Sequence, residues 1–339
     1  MSRISFGMWA AMVLMLVPLA GAQSYTITDL GTLPGSDETL PVAINDHGDV
    51  VGNAYVNGEF HAFLWTPTGG IQDLGVLPGD DESNGNGIND SGTVVGLSQG
   101  DAGKHAFLWT QTGGMQDLGN LGGSMGATAT GINNSGAVVG SSFLADNVST
   151  GPFLWTKKGG MVGLGTLGGE FGGASAINDA GEIVGSSALS GSPIVYRAFL
   201  WTQSGGMQDL GALEQSQWSF ATGINASGRV VGECESANQS NTTAFYLSPG
   251  HSMESLGAGN QSVAIGISGS EIVGGYGYED AFNAFLWTPT EHLQNLNDLI
   301  PSDSGWFLIQ ADGVNRLGQI AVEGMFNGEF RAALLTPTN

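Results

Sequence analysis

One cysteine, Cys234, stands in the whole chain, so no internal disulfide can staple the fold. It sits between Glu233 and Glu235, with neither the positive setting nor the His partner that makes a thiolate, so it reads as a structural cysteine. Basic residues are nearly as scarce. Lys and Arg number 8 against 31 Asp and Glu, a formal net charge of −23. Such a field repels polyphosphates and anionic headgroups, which excludes nucleic acid and membrane surfaces as partners. Charged residues of both signs reach only 12%, about half the usual ~25%, which speaks against a disordered tail or a charge-laced helix. No His/Cys cluster has zinc spacing, and no Gly-rich stretch opens a helix to cradle phosphate. The five histidines are scattered over different repeat positions, and no Ser-His-Asp arrangement emerges.

What the chain has in excess is glycine, 57 of 339 residues, more than double the usual ~7%. With many β-branched and aromatic residues this describes short strands joined by tight turns. The first 22 residues form a separate unit. Arg3 supplies a positive start, Met8 to Leu19 is apolar but shorter than the ~20 residues of a spanning helix, and Ala20-Gly21-Ala22 is a small-x-small cleavage site. A cleaved signal peptide over 1–22 and a secreted, extracellular or periplasmic, mature part over 23–339 are expected.

The mature part is one pattern written seven times. Its first half, Ile-Asn-x-x-Gly-x-Val-Val-Gly, runs at Ile44 to Gly52, Ile88 to Gly96, Ile132 to Gly140, Ile177 to Gly185 and Ile224 to Gly232. Degenerate copies follow at Ile267 to Gly274 and Val314 to Val322. The second half, Ala-Phe-Leu-Trp-Thr-x-x-Gly-Gly-Met-Gln-Asp-Leu-Gly, is clearest at Ala62 to Gly75, Ala106 to Gly119 and Ala198 to Gly211. Successive copies lie 44, 46, 46, 46, 40 and 48 residues apart, within the ~40–50 range of four-stranded propeller blades. In the fourth unit the strand-like runs are Ser175 to Asn178, Glu182 to Ser186, Arg197 to Thr202 and Met207 to Gly211. Asn and Gly between the first two, and Gly-Gly between the last two, are turn chemistry. The repeated Trp reads as packing between repeats, and the repeated Asn as a turn former.

Tyr25 to Gly31 match a fourth strand without the first three, while the last unit, Asp312 to Thr336, has three strands and no fourth. A ring uses that offset, because the first strand then completes the last blade and leaves no free sheet edge. The expected fold is all-β: a seven-bladed β-propeller of four-stranded antiparallel blades closed by the N-terminal strand. A β-solenoid is the alternative.

His61-Ala62-Phe63-Leu64-Trp65-Thr66, its copy at His105, and the Leu-Gly-Asn-Leu-Gly-Gly run at Leu118 to Gly123 resemble the bacterial extracellular repeat proteins of the HAF family. The resemblance spans essentially 23–339. It implies export and no particular activity. Five units carry Gly151, Arg197, Thr243, Asn283 or Arg331 where the triplet has His, which argues against a chemical role there.

Connections between second and third strands, and from each fourth strand to the next first strand, vary in length, and alternating strand direction puts both on one face. Function commonly sits on variable loops of a rigid scaffold. The candidate ligand-binding residues on that face are Asp37, Glu38, Asp80, Asp81, Glu82, Glu170, Phe171, Glu214, Trp218, Asp303 and Trp306. Carboxylates from adjacent loops have the oxygen chemistry that calcium takes; no other cofactor is expected. The aromatics would stack on sugars or peptide side chains. The plainer alternative is that the acids form a solvated rim and the aromatics cap the ring. Two functions are carried forward: a non-catalytic binding or scaffold module for a carbohydrate, peptide or protein, which the sequence favours, and a hydrolase or lyase on polysaccharide using rim carboxylates.

Overall fold

A computed structural model describes residues 24–238, 240–278 and 281–338. The leader expected over 1–22 lies outside the described residues. Within them, the chain is built of β-strands with one 3-10 turn, Leu296–Asp298, and no helix is long and apolar enough to cross a membrane.

The first repeat sets the pattern. Ser36–Ile44, Val50–Val56, Glu59–Thr66 and Gly70–Asp73 pair antiparallel in chain order. Five sheets of four strands and one of eight are present among the described residues, the eight-stranded one being two such sets joined by a single parallel bridge, Gly126 to Lys104. In the last repeat Trp306–Val314, Ile320–Phe326 and Glu329–Thr338 pair in order, and Ser24–Asp29 lies antiparallel beside Glu329–Thr338, with Ser24 opposite Thr338 and Asp29 opposite Ala333.

The first strands begin earlier than their sequence suggests. In the fourth repeat the strand is Gly168–Ile177, not Ser175 to Asn178, so it takes in a Gly-rich stretch with no alternation to announce it. Register shifts at Gly168/Gly172 and Ala174/Ala176 absorb the irregularity, and the partner strand Ile183–Leu189 satisfies the ladder.

Packing explains the Val-Val-Gly triplet. Gly52 lies opposite Phe63, and a Cβ on Gly52 would stand 2.0 Å from the Leu40 carbonyl oxygen and 2.9 Å from the Phe63 ring. Phe63, Phe107, Phe153, Phe199, Phe245 and Phe285 are all fully buried this way. The last repeat inverts the sizes: Val322 takes the glycine position and Ala333 the phenylalanine position opposite it. Each core cluster draws on two neighbouring repeats. Val51, Ala62 and Leu64 pack with Val94, Phe107 and Trp109 of the next sheet. By the same contact, Ala321, Ala332 and Leu334 of the last repeat share a cluster with Val50, Phe63 and Trp65 of the first. Trp65, Trp109 and Trp287 are buried at these seams, whereas Trp155 and Trp201 are only half-buried.

Candidate functional site

Antiparallel pairing sends the variable connections to one face, and the structure distributes the expected site residues around it unevenly. Asp37 and Glu38 belong to the strand Ser36–Ile44, Glu82 opens Glu82–Ile88, Glu170 and Phe171 belong to Gly168–Ile177, Trp218 to Ser216–Ile224, and Trp306 opens Trp306–Val314. Only Asp80, Asp81, Glu214 and Asp303 stand in connections. Extension of the first strands toward this face converts expected loop residues into rigid ones.

The two tryptophans are engaged in packing. Trp306 stacks on Phe326 with ring centres 4.9 Å apart and planes 15° from parallel. Trp218 donates from its indole Nε1 to the Ile194 carbonyl oxygen at 3.2 Å, tying its strand to the loop of the preceding repeat. Asp80 is nearly buried and its Oδ2 meets the His105 imidazole Nδ1 at 2.9 Å. Asp81, Glu214 and Asp303 project into solvent. Glu170 and Phe171 line a hollow of about 250 Å³ with Leu189 and Ile194. Among the described residues, no three Asp, Glu, His or Cys side chains come together as metal ligands.

Two pairs of mutually influencing carboxyls involve Glu59 and Glu323, which the repeat pattern did not single out. The Glu59 carboxyl hydrogen-bonds that of Glu82, and this contact, with slight burial and the nearby Glu59 and Asp81 charges, raises the Glu82 pKa above the ordinary carboxylate range. Burial raises Glu323 as well, with Glu38 adding repulsion.

Two concavities are each lined by all seven repeats. One residue from each repeat, Ile44 through Val314, lines both a cavity of about 410 Å³ at the end where first strands turn into second strands and one of about 500 Å³ further in. Each repeated Asn works twice here. Asn133 accepts the Ser135 and Ala137 backbone N–H groups on its Oδ1, and donates from Nδ2 to the Asn178 carbonyl oxygen of the next repeat at 3.1 Å. The same relay runs from Asn45 to Asn89, Asn89 to Asn133, Asn178 to Asn225 and Asn225 to Gly269, and from Asn315 back to Asn45 at 3.0 Å. At the mouth Arg316 pairs with Asp46 and Asp90.

Asp312 lines the inner axial cavity at a position where three other repeats carry a donor. Asn86, Thr130 and Thr222 give their side-chain hydrogen to a carbonyl of the next repeat, those of Ala129, Ala174 and Ala264. Asp312 instead has Oδ1 accepting from Gln310 Nε2 at 2.7 Å, and a buried Oδ2 without a hydrogen-bond partner. Burial pushes its pKa well above the ordinary carboxylate range and Glu323 pushes further, against the Gln310 hydrogen bond. A neutral carboxylic acid fits this position, since a buried carboxylate with one oxygen unpaired is strongly disfavoured. The other repeats hold Val42, Asn86, Thr130, Ser175, Thr222 and Ile265 at that position, so the single acid there was the available sequence signal.

No family model matches the chain, and no curated protein matches it. Solved structures do. An oligogalacturonate lyase in complex with manganese superposes with a TM-score of 0.60 at 10% identity, covering 92% of this chain and 93% of that one. The β-propeller domain of the trilobed protease from Pyrococcus furiosus, described by its open velcro topology, gives 0.57 at 8% identity over 91% and 96%. TolB from Acinetobacter baumannii gives 0.46 at 14% identity over 62% of this chain, which spans about half of TolB's length, 52%. At these identities the likeness is one of fold, and this all-β chain has the β-propeller fold.

Proposed function

We propose that the chain is an exported, seven-bladed β-propeller closed by its first strand, of the HAF repeat type, which serves as a non-catalytic binding and scaffold module for a carbohydrate, peptide or protein on its variable-loop face. Support for closure comes from the ladder between Ser24–Asp29 and Glu329–Thr338, the Asn315-to-Asn45 hydrogen bond, and the core shared by the last and first repeats. The observation that carries the functional reading is the division of labour within each repeat. Phe, the triplet Gly and the turn Asn are spent on contacts between sheets and along the axis, whereas residues that differ from repeat to repeat collect on one face.

Screening the mature protein on glycan and peptide arrays, with a parallel polysaccharide-degradation assay, tests this. Saturable binding that substitutions at Glu170 or Asp303 weaken, without turnover, is the expected result. The Glu59–Glu82 carboxyl pair favours a second reading, a polysaccharide hydrolase or lyase, because a carboxyl held above its ordinary pKa beside another carboxyl is the equipment of general acid catalysis. Turnover abolished by Glu82→Gln would replace the first reading with the second.

A further inference from the structure

In three repeats the outer part of the sheet carries a polar pair across its third and fourth strands. In the first repeat His61, two residues before Phe63, meets Asp73, which lies opposite Phe63, at 2.9 Å. At the same positions Asn295 donates to Asn283 at 3.4 Å in the sixth repeat, and Arg331 faces Asp29 at 3.7 Å in the last. The third repeat has erased both partners. Gly151 stands two residues before Phe153, and Gly163 lies opposite Phe153. Their place is taken by a hollow of about 440 Å³ on the variable-loop face, walled by Leu121, Leu144 and Pro152, with Ser149, Thr166 and Glu170 at its rim. The hollow lined by Phe171, Leu189 and Ile194 adjoins it, and the two share Gly169 and Glu170. Ile194 is 47% exposed, and Val148, next to Ser149, is 61% exposed. The result is a double depression, apolar in the half walled by Leu121, Leu144 and Pro152 and mixed in the half lined by Phe171, Leu189, Ser190 and Ile194, with the Glu170 carboxylate common to both.

The structure assigns this double hollow as the seat of a basic peptide segment of a partner protein, one apolar side chain entering each half and a Lys or Arg between them pairing with Glu170. This deepens the proposed function and rests on its choice of face. Charge complementarity selects the peptide's sign. Glu170 is exposed and forms no ion pair among the described residues, and the chain carries a net charge of −23. The apolar lining of the first hollow, and the Phe171, Leu189 and Ile194 side chains in the second, select its apolar anchors, because such depressions bind by burying aliphatic or aromatic groups.

The erased pair supplies the test. Neither Gly151 nor Gly163 has a left-handed backbone, and a Cβ would meet only Leu144 Cδ2 at 3.5 Å and Leu121 Cδ1 at 3.4 Å, ordinary contacts. The double variant Gly151→His with Gly163→Asp therefore installs a pair that the first repeat holds natively, and fills the hollow. Fluorescein-labelled Gly-Leu-Lys-Leu-Gly, Gly-Ser-Lys-Ser-Gly and Gly-Leu-Glu-Leu-Gly peptides are the probes, read by fluorescence anisotropy against the whole mature chain. Expected are preferential binding of the Leu-Lys-Leu peptide and a loss of about tenfold or more in the double variant, the loss of one buried anchor. Exposed Glu170→Lys, which leaves the packing alone, is expected to turn the preference toward Leu-Glu-Leu. Equal affinity of wild type and double variant, equal affinity for the Leu and Ser peptides, or no binding would overturn the assignment. So would an unchanged preference in Glu170→Lys, should the double variant not fold. A glycan or protein ligand captured on arrays and still bound by the double variant would sink this seat while leaving the face reading intact.

Discussion

Glu233 follows the Val-Val-Gly triplet on the second strand of the fifth repeat, the position at which Asn53 of the first repeat accepts the Gly85 backbone N–H of the next sheet at 2.8 Å. A side chain here faces a neighbouring sheet, and for Glu233 that means burial. Its pKa rises from 4.5 to about 7, chiefly through desolvation, with Glu235 adding repulsion. Because the folded value lies above the unfolded one, the folded state holds the proton more tightly. The group leaves stability untouched below pH 4.5, erodes it as pH rises, and exerts its full penalty above pH 7, about 3 kcal/mol. Burial moves Glu271 and Glu323 in the same direction, so the whole protein is expected to be more stable at pH 5 than at pH 8. Glu233→Gln keeps the shape and removes the titration. Thermal unfolding of wild type and variant across that range should give curves that nearly meet at pH 4.5 and separate by about 3 kcal/mol at pH 8, the variant being the more stable. Parallel curves would show that Glu233 is not desolvated. The Gly and Phe sizes show a second residue-scale rule: where Val322 replaces the triplet glycine, Ala333 replaces the facing phenylalanine, so the total volume is conserved across the pair.

The turn between first and second strands is the element that links one repeat to the next. The Asn side-chain oxygen satisfies turn N–H groups, as the chemistry of Asn in such turns predicts, and this much was legible in a single repeat. Its nitrogen reaches the carbonyl of the following repeat, which only the assembled array can display. Asn133 is buried, so Asn133→Ala would strand two turn donors and leave the Asn178 carbonyl with the Gly181 N–H alone. A loss of roughly 2–4 kcal/mol is expected from those unsatisfied groups, measured by denaturant unfolding. Ser240, outside the relay and exposed, serves as the control, with a change below about 0.5 kcal/mol on conversion to Ala. Periodicity made the strands and their pairing partners readable. It hid the first-strand extensions, whose Gly-rich sequences carry no alternation, and the paired absence at Gly151 and Gly163, because a repeat motif draws attention to what recurs. For the candidate site, the choice of face was a matter of connection lengths and could be made from sequence. Which acids influence one another, Glu59 with Glu82 or Glu38 with Glu323, depends on sheet-to-sheet spacing that no single repeat encodes.

At the scale of the molecule the question is what holds the two chain ends against one another. Ser24–Asp29 contributes the outermost strand beside Glu329–Thr338, Tyr25 sits in the core built by the last two repeats, and Leu30 and Leu33 sit in the core between the last and the first. The trilobed protease domain, described as open at its velcro, has the same general fold, so a propeller can stand without this seam. The seam must therefore be judged by its energy here. Removing residues 24–31 would expose Tyr25's and Leu30's surroundings, a loss of about 3–6 kcal/mol from two large side chains, and would leave Glu329–Thr338 as a bare edge. The expected outcome is a Tm lower by roughly 10 °C and concentration-dependent association in sedimentation, both reversed by adding a synthetic peptide of residues 24–31. The two cores make the peptide specific: exchanging Tyr25 and Leu30 in it for Ser should abolish rescue, since the ladder alone supplies pairing without the cores. An unchanged Tm in the truncated protein would mean that the inter-repeat cores and the Asn315-to-Asn45 link already hold the ends together without the strand.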